Sequence, residues 1–136
     1  MPTVSTTYLG QLRTQATHNQ SGTQILTDAP TDNMGKGEAF SPTDLTATSL
    51  GTCIITTMAI VAQRHDILLD GSTLEINKVM SVTAPRRIAK IEVTLQIKSN
   101  RPLTEDERTK LERTAHTCPV SLSLHPETEQ VIVINW

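Results

Sequence analysis

Ser41-Pro42-Thr43-Asp44-Leu45-Thr46-Ala47-Thr48-Ser49-Leu50-Gly51-Thr52-Cys53-Ile54-Ile55-Thr56-Thr57-Met58-Ala59-Ile60-Val61-Ala62 is the stretch on which the fold turns. Its opening reads as a helix start. Ser41 is a favourable N-cap, Pro42 suits the first helical position, and Asp44 places negative charge at the positive end of the helix dipole. The helix is expected to run to about Arg64 or His65. Leu45, Ala47, Leu50, Ile54, Ile55 and Met58–Ala62 cover most of its circumference, and the other positions up to Thr57 are mainly small. A helix of that kind is enclosed on nearly every side. In a chain of 136 residues, such enclosure points to a sheet on one face and a partner subunit on another.

Upstream, residues 4–28 are rich in Thr and alternate loosely, with a turn signal at Ser21-Gly22. They predict strands at about 4–9, 11–18 and 23–28. Residues 29–40 hold Pro30, Asp32-Asn33, Gly35 and Gly37, a loop of unusual length. Loops that long are more often functional than idle.

Downstream, Asp70-Gly71 is a turn, and Leu74, Ile76, Met80 and Val82 mark a strand at about 73–83. Ala89, Ile91, Val93, Leu95 and Ile97 alternate strictly with Lys90, Glu92, Thr94, Gln96 and Lys98, the signature of a half-buried strand. The two strands are expected to join through Ala84-Pro85-Arg86. Thr104-Glu105-Asp106-Glu107 is a capping box opening an amphipathic helix with Leu111, Ala115 and Cys118 inward. Pro119-Val120-Ser121 then offers a further short helical turn, and Val131–Ile134 a closing strand. The order β-β-β-α-β-β-α-β, with mainly antiparallel connections, predicts one α+β domain over residues 1–136.

Composition narrows the partners. The chain is 37% hydrophobic and 19% charged, with a formal net charge of −2. Tyr8, Phe40 and Trp136 are its only aromatic residues, so the core must be Ile, Leu, Val, Ala and Met. No basic stripe or aromatic platform suits nucleic acid. Met1-Pro2-Thr3-Val4 has neither a basic nor an apolar signal region, and the run Ile54–Ala62 is too short to span a bilayer. A cytoplasmic protein without membrane association is the expectation. There, two cysteines do not persist as a structural bridge. His18, His65, His116 and His125 show no paired ligand spacing, so no metal site is expected.

Cys53 and Cys118 remain as the chemistry-bearing residues. A buried cysteine can be an inert small hydrophobe. A cysteine peroxidase, by contrast, needs one thiol to take the peroxide oxygen, a second to resolve the sulfenic acid, and a cation or hydrogen-bond donor that keeps the first ionised.

Ser41-Pro42-Thr43-Asp44-Leu45, followed by Cys53 in Leu-Gly-Thr-Cys, resembles the central helix of the osmotically inducible protein C and organic hydroperoxide resistance family. Cys118-Pro119-Val120-Ser121 resembles that family's second-cysteine motif. The resemblance covers nearly the whole chain. It implies an OsmC-like fold in which antiparallel sheets wrap two central helices of an intertwined homodimer. It also implies a thiol-dependent peroxidase for small organic hydroperoxides, with no bound cofactor and an external dithiol as reductant. Cys53 would then attack, Cys118 resolve, and Arg13, nine residues before Gly22, stabilise the thiolate.

One position departs from the family. Its better-defined peroxidases carry a glutamate ten residues before the first cysteine, paired with the arginine; here that position is Thr43. Asp44 and Glu38 are the nearby acids that could substitute. Otherwise the arginine is held differently, or the activity is reduced. An apolar pocket of Phe40, Ile54 and Met58 would favour organic hydroperoxides, since each buried methylene is worth about 0.8 kcal/mol. The alternative is a non-enzymatic, stress-associated dimer that binds an apolar ligand at the subunit interface, with the cysteines as pocket lining.

Overall fold

The computed structural model describes residues 1–136. The chain divides into two compact units, Met1–Thr46 and Ala47–Trp136.

The first unit holds an antiparallel sheet in the order β1 (Val4–Gly10), β2 (Arg13–His18), β3 (Gln24–Asp28). The strands fall where the alternation placed them, except that Gln11 and Leu12 form the first turn instead of opening β2. Both have positive φ, 54° and 64°. That geometry follows the right-handed twist of the flanking strands, at a local cost for two non-glycine residues. The second turn closes at Gly22, whose amide donates to the His18 carbonyl at 2.7 Å. Beyond β3 the long loop contains a 3-10 turn at Thr31–Asn33 and then returns to the strand. Phe40 bridges to Thr27, and its carbonyl accepts the Asp28 amide at 3.0 Å.

The long helix α1 spans Pro42–Gln63. Its start is capped reciprocally: the Asp44 amide donates to Ser41 Oγ and the Ser41 amide to Asp44 Oδ2, both at 3.0 Å. Ala47, Leu50, Gly51, Ile54, Met58 and Ala62 make one buried stripe at helical spacing. The opposite face is not enclosed by its own chain. Ile60 is half exposed there, and Ile55 and Val61 are only partly covered. The all-round burial expected from the sequence is thus met on one face. By length and composition α1 is also apolar enough to cross a membrane, which the shorter run Ile54–Ala62 did not suggest. Its buried stripe belongs to the core of the second unit.

The second sheet has the order β4 (Thr73–Met80), β5 (Ile88–Gln96), β6 (Glu129–Asn135). β4 and β5 form the expected antiparallel pair. β5 and β6 run parallel, which corrects the expectation of antiparallel sheets. The cause is the intervening chain, which carries α2 (Glu105–Ala115) and α3 (Pro119–Ser123) and so supplies the crossover that a parallel neighbour requires. Ile91, Val93 and Leu95 of β5 meet the α1 stripe, Leu111, Ala115 and Cys118 in one core. Close approach of helix and sheet explains Gly51: a Cβ there would stand 2.4 Å from Ile76 Cδ1. The capping box of α2 is present as read, with Glu107 N–H donating to Thr104 Oγ1 at 3.1 Å and Thr104 N–H to Glu107 Oε1 at 3.0 Å.

Candidate active site

Two clusters hold the expected site residues, one in each unit. In the second unit, Cys53 lies midway along α1, partly exposed, with Thr57 one turn further on and its hydroxyl 3.9 Å from Sγ. Cys118 is fully buried and is not part of α2. It is instead the N-cap of α3, and its Sγ accepts the Ser121 amide at 3.3 Å. The positive end of a short helix therefore faces the sulfur, which decides the direction the sequence left open. Ser121 in turn is held to β6, its Oγ donating to Gln130 Oε1 at 2.6 Å and its carbonyl accepting Gln130 Nε2 at 3.0 Å.

Cys53 packs against the core that holds Cys118, and the two thiols are driven apart in acidity. Burial alone would push Cys53 up, but the Val120 amide, the Cys118 thiol and the Thr57 hydroxyl all donate to it and bring it below its ordinary value. Cys118 moves the other way. Burial pushes it up, the Ser121 amide opposes this, and the adjacent Cys53 sulfur raises it further as acceptor and as negative charge. One sulfur is suited to be the thiolate and the other its proton donor.

In the first unit, Arg13 opens β2 directly opposite Asp28, the last residue of β3. Its Nε donates to Asp28 Oδ1 at 2.6 Å and its Nη2 to Asp28 Oδ2 at 2.9 Å. Nη2 also donates to Glu38 Oε2 at 2.9 Å. The Asp28 side chain is 3% exposed and that of Glu38 64%. The Glu38 amide closes the cluster by donating to Asp28 Oδ2 at 3.1 Å. The Arg13 hydrogen bonds hold the Asp28 carboxyl below its usual range despite its burial, and Asp28 followed by Glu38 raises the guanidinium in return.

Of the acids proposed to substitute for the missing glutamate, Glu38 therefore does reach Arg13. Asp44 closes the α1 cap, and Thr43 Oγ1 lies 3.1 Å from Ser41 Oγ. Asp28, the principal partner, was not foreseen. Ile54 and Met58 do not line a pocket mouth: both face the core and are fully buried. No group of three or more His, Cys, Asp or Glu side chains is placed to hold a metal ion.

Comparison with known proteins follows the same lines. The family described as OsmC-like protein matches residues 35–132. A structure from Psychrobacter arcticus 273-4, provisionally named an osmotic stress induced and detoxification response protein, is 46% identical with a TM-score of 0.91, covering 98% of this chain and 96% of its own. An organic hydroperoxide resistance protein OsmC from Legionella pneumophila shares 17% identity at a TM-score of 0.76, covering 100% and 98%. An organic hydroperoxide resistance protein from Elizabethkingia anophelis shares 16% at 0.74, covering 99% and 96%. The last two show likeness of fold alone. No curated protein matches the chain at a significant level.

Proposed function

Because the chain belongs to the OsmC-like protein family, we propose that it is a thiol-dependent peroxidase that reduces organic hydroperoxides. The observation that carries this reading is the packing of Cys53 against the core that holds Cys118, with the first thiol made more acidic and the second less. The Cys53 thiolate attacks the terminal peroxide oxygen. The S–O bond forms as the O–O bond breaks, and the alkoxide leaves as alcohol after taking a proton. Cys118 then attacks the sulfenic sulfur, giving a disulfide and water. An external dithiol reduces the bridge by exchange, which regenerates both thiols and needs no bound cofactor.

Arg13 is assigned to the thiolate and the peroxide as their cation, since a guanidinium offers fixed, directional donors to both. The reading includes a homodimer, and the uncovered apolar residues support it. Tyr8, Leu9, Leu12 and Ile25 of the first sheet are each more than two-fifths exposed, as is Ile60 on the outer face of α1. It also includes the cytoplasm, where a dithiol reductant is at hand.

The test is stoichiometric oxidation followed by mass spectrometry. One equivalent of cumene hydroperoxide should remove both free thiols and about 2 Da per chain, the two thiol hydrogens lost on bridging. Cys53→Ser should abolish the reaction, and Cys118→Ser should leave a sulfenate that proceeds to sulfinate. Two titratable thiols after stoichiometric peroxide would overturn the reading. Equal rates with hydrogen peroxide would overturn the organic preference alone.

A further inference from the structure

We propose that Asp28 is the positioning residue for Arg13, in the part that Thr43 leaves vacant. The inference rests on the peroxidase reading above and deepens it. An arginine aimed at a thiolate needs a fixed counter-charge, because four flexible side-chain torsions otherwise let the fork wander. Two carboxylates reach it, and they differ in kind. Glu38 sits on the long loop, largely exposed, and makes one contact. Asp28 is buried, ends a strand, and takes Nε and Nη2 together in a two-point grip.

Three further features fix that grip. Arg13 and Asp28 are paired residues in the β2–β3 ladder, so their separation is set by backbone hydrogen bonds rather than by a loop. Asp28 is itself held at Oδ2 by the Glu38 amide and at its backbone by Phe40. Together the two carboxylates use the Nε hydrogen and both Nη2 hydrogens, which leaves the Nη1 hydrogens outside the clamp. An arginine held from one edge presents the other edge to a substrate. Thr43, one residue before Asp44 at the start of α1, has no charge to offer in this role. In this chain the anchor thus stands on the strand beside the arginine.

The test combines peroxide kinetics with a pH profile. Stopped-flow oxidation of Cys53 by cumene hydroperoxide gives a second-order rate, and iodoacetamide alkylation against pH gives the thiolate midpoint. Asp28→Asn should slow oxidation about tenfold to a hundredfold, as misplacement of a catalytic group does. It should also move the alkylation midpoint up, which a purely structural defect would not. Asp28→Glu should recover part of the rate, and Glu38→Gln should cost less than Asp28→Asn. In an Arg13→Ala background, Asp28→Asn should add little, because the two act as one unit.

Should Asp28→Asn fail to fold, Arg13→Lys keeps the charge and loses the fork, and it should be slow for the same reason. A wild-type rate in either folded variant overturns the inference, provided that Arg13→Ala is slow. Full additivity of Arg13→Ala and Asp28→Asn overturns it as well. A wild-type Cys53 that peroxide does not oxidise is a different result: it removes the peroxidase reading, and the positioning role falls with it.

Discussion

The two units of the chain are held by different forces. Every fully buried apolar side chain lies between Ala47 and Cys118, whereas the buried residues of the first unit are Thr27, Asp28 and Ser41, all polar. The second unit has a core in the ordinary sense, built from α1, β5 and α2. The first is a thin sheet organised around hydrogen bonds and one charged cluster. The candidate site residues follow the same division. Arg13 is fixed by formal charges that persist across neutral pH, while Cys53 is tuned by burial, by the Val120 amide and by the Cys118 and Thr57 side chains, which together bring it below its ordinary value.

The largest effect expected from this contrast is on stability. Ile54→Ala empties a site in the second core and should cost about 2–5 kcal/mol. Gly51→Ala forces a methyl against Ile76 and should cost about 1–3 kcal/mol. Leu9→Ala, on the half-exposed face of β1, should stay within about 0.5 kcal/mol if that face is open to water. Urea melts at two protein concentrations would sharpen the comparison. A large loss for Leu9→Ala, with a midpoint that rises with concentration, would mean that a second subunit covers the first sheet. A midpoint independent of concentration in every variant would count against the proposed homodimer.

Acid should separate the units next. Asp28 has a folded-state value below its unfolded one, so its contribution is present above about pH 4 and fades as pH falls through the lower folded value. Glu107 behaves alike. The Arg101 fork and the Thr104 amide bring it to about 2, and its share is lost between its ordinary value and that point. In the second unit that loss loosens the start of α2, while the apolar core carries no charge to titrate. Amide exchange between pH 5 and 2 should therefore show β2 and β3 losing protection before Leu50 and Ile54. Simultaneous loss at both would refute the division into a charge-held and a core-held unit.

Much of this organisation was legible in the sequence, and the exceptions have physical causes. Period-2 alternation and the Thr104 capping box located β5 and α2 because both signals are local. The direction of β6 was not legible, since parallel or antiparallel pairing depends on where a crossover deposits the strand. Ile54 and Met58 could not be sorted into core or pocket by composition, because a helix apolar on most sides does not declare which face meets its own sheet. Asp28 is the instructive omission. Arg13 and Asp28 lie symmetrically about the turn at 19–22, so the expected hairpin already paired them. Asp44 and Glu38 are near Thr43 along the chain, whereas the principal partner of Arg13 lies across the ladder.

The smallest expected effect is also the most specific, because it tests whether Cys118 tunes Cys53 or only packs beside it. Cys118 is fully buried in an apolar core, where a cysteine can serve as a small hydrophobe. Yet its thiol is one of the donors that lower Cys53. Cys118→Ala removes the donor and a little volume, so the alkylation midpoint of Cys53 should rise. It should not return fully to the ordinary thiol value, since the Val120 amide and the Thr57 hydroxyl remain. Cys118→Ser keeps a donor in nearly the same volume and should leave the midpoint closer to wild type, although it cannot form the disulfide. The pair separates ionisation from resolution within one position. If Ala and Ser shift Cys53 equally, packing rather than the hydrogen bond sets its acidity, and the second cluster is governed by the same apolar forces as the core around it.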